Sequence, residues 1–342
     1  MPTPTYSILL RSAAIAALLA SVSPAAVSAE TLQDALTQAY STNPTLNARR
    51  ASLRAVDENV PQAAAGWRPT VRLSGALGRR DVETELNGRV TVNEMRNPGS
   101  AAVTVTQPLY QGGRTQAGIQ RAEAQVQAER ARLLASEQTV FIGVVTNYAN
   151  VLRDQAVVEL RANNEQRLRR QLEATRDRFR VGEVTRTDVA QAESRLSRSS
   201  ADRISAEGNL TASRAQYERF VGKPPESPTE PTAAVNLPRS SKDAAAAASA
   251  DNPNVVAAQF EEAAQRLRIK EVQGELLPDL NLVGDVTRSL DASARNQTSD
   301  AFGVQAQVTM PLYEAGSITS RVRQARETAT QRRVEIEDAR RQ

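Results

Sequence analysis

Neither histidine nor cysteine occurs in the 342 residues. The chain therefore has no imidazole base, no thiolate nucleophile and no zinc site of the usual kind. Acid–base chemistry is left to 39 Asp plus Glu, set among 43 Lys plus Arg with a net charge of +4. A glycosidase could work with carboxylates alone, but it needs a concave site holding two of them, and no spacing here organises one. The basic residues are interspersed with acidic ones, without the concentrated basic face that nucleic acid requires. These residues point to no enzyme, no cofactor or metal, and no nucleic-acid partner. The chemistry left is that of surfaces: polar side chains that can solvate a passing solute, apolar ones that can meet lipid, and loop residues that can meet another protein.

Four segments carry such surfaces, because they alternate with period two. Val71, Leu73 and Leu77 oppose Arg72 and Ser74, and Val103 and Val105 oppose Thr104 and Thr106. Leu280, Leu282 and Val286 oppose Asn281 and Asp285; Phe302, Val304, Ala306, Val308 and Met310 oppose Gln305, Gln307 and Thr309. Each is read as a strand with one apolar and one polar face, over residues 70–78, 101–109, 279–288 and 301–310. Only 4% of residues are aromatic, so no aromatic-rich helix is available to cover the apolar faces. Lipid could cover them, as in a transmembrane barrel. The polar faces would then line a pore through Arg72, Thr104, Asn281, Asp285 and Gln305. Trp67, Tyr110 and Tyr313 stand at the strand ends nearest the helices, where an interfacial aromatic girdle would lie. Four strands cannot close a transmembrane barrel, which needs about 8 at least. Several chains would have to contribute, and alternation does not choose between a dimer and a trimer. The connections Arg79 to Ser100 and Ser289 to Asp300 are read as polar outward loops.

The elements that position these strands are long helices. Arg114 to Phe179 contains no proline, which predicts a nearly unbroken helix about 100 Å long at 1.5 Å per residue. Val140, Val144, Tyr148 and Val151, continued by Leu168, Leu172 and Phe179, form a coiled-coil seam. The arginines around it (Arg161, Arg167, Arg169, Arg170, Arg176) are read as a solvated face. The helix stops at Val181-Gly182-Glu183-Val184-Thr185, and a return helix capped by Thr185 or Thr187 runs to about Phe220. A shorter helix is expected from Asn43 to Gly66.

Arg11, the apolar run Ala13 to Val22 and the small residues Val27-Ser28-Ala29 read as a signal peptide over 1–29, with the mature chain starting at Glu30. The remainder repeats itself. Asp34-Ala35 returns as Asp243-Ala244, Asn43-Pro44 as Asn252-Pro253, Pro69 as Pro278 and Gly75 as Gly284, all at one offset. Gln107-Pro108-Leu109-Tyr110 returns as Met310-Pro311-Leu312-Tyr313. The organisation is a first repeat over 30–222, a proline-rich linker over 223–241 and a second repeat over 242–342. The second copy stops in mid-helix, which predicts a fragment lacking about 80 to 100 residues of the repeat.

Together the repeat, the strand pairs, Gln107-Pro-Leu-Tyr-Gln-Gly-Gly113 and Arg178-Phe-Arg-Val-Gly-Glu-Val-Thr-Arg-Thr-Asp-Val189 resemble the TolC family of outer-membrane efflux proteins. The fold expected is mainly α with a small β part, built of long antiparallel helical hairpins and four strands lent to an oligomeric barrel. The resemblance implies a homotrimer with a twelve-stranded barrel in outer-membrane lipid and a helical tunnel in the periplasm. It implies a channel for efflux or type I protein secretion, partnered by a periplasmic adaptor and an inner-membrane pump or ABC transporter. It also implies that the tip Val181, Gly182, Glu183, Val184 and Thr185 contacts the adaptor, with Glu183 departing from the leucine of the family pattern. The rival reading is a soluble periplasmic adaptor or coiled-coil scaffold, which leaves the duplicated strand pairs unexplained.

Overall fold

The computed structural model describes residues 30–86, 89–231, 240–292 and 296–341. The expected signal peptide, residues 1–29, and most of the expected linker, residues 232–239, lie outside them. In chain order the elements are α1 (Leu32–Thr42), α2 (Pro44–Asp57), α3 (Asn59–Ala64), β1 (Thr70–Leu77), β2 (Arg80–Leu86), β3 (Arg89–Arg96) and β4 (Gly99–Gln111). They continue with α4 (Arg114–Arg180), α5 (Arg186–Val221), α6 (Ser241–Asp251), α7 (Pro253–Gln273), β5 (Asp279–Leu290), β6 (Thr298–Thr309) and α8 (Ser317–Arg341). The fold is mainly α with a small β part.

Local chemistry accounts for the boundaries. Thr31 caps α1 in a reciprocal box with Asp34, and the Asn252 side chain accepts from the Asn254 N–H at 2.9 Å with Pro253 opening α7. The helix expected from Asn43 to Gly66 is instead broken: α2 ends at Asp57, α3 follows, and a single 3-10 turn spans Ala65–Trp67. Pro61 is the cause, since it has no N–H to give the Asp57 carbonyl four residues back.

Two compact units divide the chain. The first comprises residues up to Asn43 and Val140–Ala234. Here Val140, Val144, Tyr148 and Val151 of α4 are buried, with Leu210, Tyr217 and Val221 of α5. The seam thins toward the tip: Leu168 is half-buried, Leu172 is buried, and Phe179 is exposed. Phe179 lies in the last turn of α4, just before the tip. Three of the five arginines read as a solvated face are held in ion pairs. Arg161 meets Asp202 at 3.6 Å, Arg176 meets Glu193 at 2.6 Å, and Arg169 meets the buried Glu165 at 3.0 Å, which also receives Arg203 at 2.6 Å. The guanidinium of Arg203 holds the Glu165 carboxyl below its ordinary range. Glu30 is 4% exposed. Its carboxylate accepts from Tyr217 Oη at 2.8 Å, from the Glu226 N–H at 3.1 Å and from Lys223 Nζ at 3.3 Å. Burial, then the Glu30 hydrogen bond, pushes the Tyr217 phenol far up.

The second unit comprises Pro44–Thr139 and Val235–Gln342. Its four-stranded antiparallel sheet has the order β1-β4-β5-β6, so the two strand pairs meet edge to edge through β4 and β5. Between α7 and α8, Val272, Ile318 and Val322 form a small apolar cluster. Charge aligns the helices. Going down α4 toward its start, Arg132, Arg121 and Arg114 meet Glu261 and Glu271 of α7 and Asp279 of β5 in turn, while Arg332 and Arg321 of α8 meet Glu261 and Glu275. The segment expected as a polar loop, Arg79 to Ser100, is largely a second sheet, β2 paired with β3. The other expected loop shortens as well, since β5 runs on to Leu290 and β6 begins at Thr298.

Candidate functional site

The site is the sheet itself, because its register decides which side chains share a face. Val71 opposes Val105, Leu73 opposes Val103, Val103 opposes Val286, and Val286 opposes Phe302. These residues, with Val304, Ala306 and Val308, make one continuous apolar face. On the other face Arg72 opposes Thr104 and Thr104 opposes Asp285, so three of the five proposed pore residues lie in a single row. Gln305 stands one row nearer the helices, beside Val283 and Thr106, and Asn281 one row nearer still, beside Gln307. All five are on the polar face. Asp285 leans across its row, since a Cβ at Gly303 would lie 3.0 Å from its Oδ1.

Burial runs the wrong way round for a sheet in water. Along the central strands β4 and β5 the polar-face residues Thr104, Thr106, Asn281 and Asp285 are half-buried, whereas the apolar-face residues Val103 (39%), Val105 (39%), Leu282 (39%) and Val286 (54%) are exposed. On the edge strands β1 and β6 both faces are open, Arg72 and Gln305 as well as Leu73 and Phe302. A soluble antiparallel sheet turns its apolar face to a core and its polar face outward. A contiguous exposed apolar face of this size marks an interaction surface.

The three aromatics lie at one end of the sheet. Trp67 precedes β1, Tyr110 pairs with Leu280 where β4 bulges after Pro108, and Tyr313 follows β6. Gln107 Nε2 donates to the Trp67 carbonyl at 2.9 Å, fixing the entry to β1. The turn out of β4 needs glycine: Gly112 has φ +60°, and a Cβ there would collide with the Gly274 carbonyl.

In the hairpin tip Gly182 has φ +82°, its N–H donates to the Phe179 carbonyl at 3.0 Å, and the Glu183 N–H donates to the Arg178 carbonyl at 2.9 Å. This pair of bonds closes α4. Thr185, one of the two expected caps, starts α5: its N–H donates to Asp188 Oδ2 at 2.8 Å, and its Oγ1 accepts from the Asp188 N–H at 3.3 Å. The Thr185 N–H, then its hydroxyl, hold the Asp188 carboxyl below its ordinary range. Val181, Gly182, Glu183 and Thr185 are exposed, and Val184 is half-buried.

Sequence reasoning overlooked three features. One is the β2–β3 pair, signalled by Val82, Thr84 and Leu86 alternating with Asp81, Glu83 and Glu85 and by Asn87-Gly88, a strong hairpin dipeptide. The second is the placement of Arg288 and Asp300 on the apolar face. The third is the set of arginines lining a cleft of about 600 Å³ in the second unit, among them Arg121, Arg132, Arg268, Arg321 and Arg332. Every one of those five is engaged by a glutamate.

Residues 35–223 and 245–342 match the family model described as "Outer membrane efflux protein". The chain belongs to that family. The outer membrane efflux protein BepC of Brucella suis biovar 1 is 33% identical over 310 residues, covering 90% of this chain and 66% of that protein. The outer membrane protein TolC of Vibrio cholerae serotype O1 is 26% identical over 311 residues, covering 88% and 69%. The crystal structure of CusC has the same fold, with a TM-score of 0.77 at 15% identity over 91% of this chain and 72% of that one. The chain spans about two thirds of the length of the curated relatives it matches. Membership in this family of outer-membrane channel proteins fits the efflux reading and not the soluble adaptor.

Proposed function

We propose that the protein is the outer-membrane exit duct of a tripartite export system, working as a passive conduit for small molecules or for type I secreted proteins. Three copies each lend β1, β4, β5 and β6 to one barrel. The polar faces, with Arg72, Thr104, Asn281, Asp285 and Gln305, line a water-filled lumen, and the apolar faces meet outer-membrane lipid. Trp67, Tyr110 and Tyr313 form the interfacial girdle on the periplasmic side. A periplasmic adaptor docks on the tip from Val181 to Thr185, and an inner-membrane pump or ABC transporter supplies the energy. The duct itself only lowers the barrier to transfer, by keeping a polar path where lipid would otherwise be.

The observation that supports this reading most is the burial along the central strands β4 and β5, where Val103, Val105, Leu282 and Val286 are exposed while Thr104, Thr106, Asn281 and Asp285 are half-buried. Native mass spectrometry of protein extracted in detergent from the outer-membrane fraction, followed by planar-bilayer recording, tests it. A trimer with a steady ionic conductance is expected. A water-soluble monomer without conductance would overturn the proposal.

A further inference from the structure

The apolar face carries two charged side chains among the residues of β1, β4, β5 and β6 that share it, Arg288 and Asp300. They stand opposite each other in the pairing of β5 with β6, and the rest of their row is Ala101 and Gly75. Small neighbours leave both heads open, with side chains 66% and 68% exposed. Their closest approach is 3.7 Å, with no hydrogen bond between them. The fork of guanidinium donors is therefore not spent on Asp300.

Height decides what they meet, and here the argument rests on the membrane reading above. The girdle row contains Tyr110 and Leu280, and the last apolar row contains Leu290, with Gly99 between it and Leu77. Ten residues of β5 separate these rows, about 33 Å along a strand. With a tilt of about 40° the vertical span is about 25 Å, the height of the apolar band of an outer-membrane barrel. Arg288 thus sits one side-chain row below the top of the band. A long stem can carry its head to the interface there, while a charge at the midplane could not escape the hydrocarbon. A guanidinium delivered to that level meets lipid phosphates, whose geometry it matches with two parallel bonds.

We propose that Arg288 is a binding residue for the phosphate of an anionic membrane lipid at the outer interface, with Asp300 as a competing neighbour that weakens the hold. The alternative, that the two charges merely neutralise each other, predicts the opposite effect of removing Asp300, so the pair can be tested by sign.

The chain has no cysteine, so Phe302→Cys carries a single bimane label on the same face. Quenching of that label by doxyl-lipid tests the membrane reading separately from any phosphate. Native mass spectrometry of the detergent-solubilised assembly, titrated with dioleoyl phosphatidic acid or with dioleoylglycerol, then tests Arg288. The assembly is expected to retain the phosphatidic acid and not the diacylglycerol, and inorganic phosphate is expected not to displace it. Arg288→Ala should weaken retention about tenfold, Arg288→Lys should fall between the two, and Asp300→Asn should tighten it. If the label is quenched but Arg288→Ala retains lipid like the parent, or Asp300→Asn loses it, the membrane reading stands and the phosphate site falls. Displacement by inorganic phosphate would also overturn the assignment to lipid. An unquenched label would remove the membrane reading and this proposal with it.

Discussion

The helical hairpin of α4 and α5 and the sheet of β1, β4, β5 and β6 use the same kind of side chain in opposite ways. In the hairpin Val144, Val151, Tyr148 and Tyr217 are buried and the arginines are outside, engaged by Asp202, Glu193 and Glu165. In the sheet Leu73, Phe302, Val304 and Val308 are outside while Thr104 and Asp285 are half-covered. The hairpin is built for water, and its stability comes from removing apolar surface from it. The sheet cannot gain stability that way as a single chain, so its open face must be satisfied by something other than water. The contrast teaches that a residue's exposure means nothing until its solvent is named.

The comparison can be broken first in the hairpin. Tyr217 is completely buried and donates to Glu30, so Tyr217→Ala should cost about 3–5 kcal/mol, read as a lowered midpoint of helix melting by circular dichroism. The sheet should respond next and according to face. Val105 lies on the open apolar face in the row of Val71 and Val304, midway along the apolar band. Val105→Arg should cost about 2–4 kcal/mol at the bilayer midplane, seen as loss of the heat-resistant oligomer on gels. Thr104→Arg, one residue away on the polar face, should leave the oligomer intact and change its conductance; equal damage from both would mean that the faces are not distinguished by their solvents.

Smaller effects sharpen the hairpin side. A Cβ at Gly182 would touch nothing, so Gly182→Ala tests the left-handed backbone alone, with about 1–2 kcal/mol expected in chemical denaturation. Acid should act on the hairpin most mildly. Asp154, Glu165 and Asp188 all titrate below their ordinary values, 3.8 for the aspartates and 4.5 for the glutamate, held down first by Arg153, by Arg203 and by the Thr185 N–H. Their charged forms are the ones the fold favours. The stability they add is complete above those ordinary values and is lost as pH falls through the lowered ones. Helix melting should be unchanged from pH 7 to about 5 and weaken only below about 4.

Much of this architecture is written locally. Alternation placed β1, β4, β5 and β6 to within a few residues, since a strand's two faces repeat every second position. Pro and Gly punctuation placed the tip at Gly182 and the helix start at Pro253. Local patterns failed where a distant partner decides the outcome. Phe179 continues the spacing of the seam but is exposed. Arg161 and Arg176 stay exposed, as a single helix suggests, and the return of α5 adds a carboxylate partner to each. The β2–β3 pair was written in its alternation and hidden by its charge, which resembles that of a loop.

By itself the sequence determined that the chain has long helices and alternating strands, that motifs such as Asn-Pro and Pro-Leu-Tyr recur along it, and that it carries no His or Cys. Those properties depend on residue types and on spacings of a few positions. Only the tertiary structure decided that β4 lies beside β5, so that Arg72, Thr104 and Asp285 form one row while Arg288 faces the other way beside Asp300. It alone placed Glu30 against Tyr217 across 187 positions of chain. Register is set by hydrogen bonds between segments far apart in sequence, and no local period carries that information.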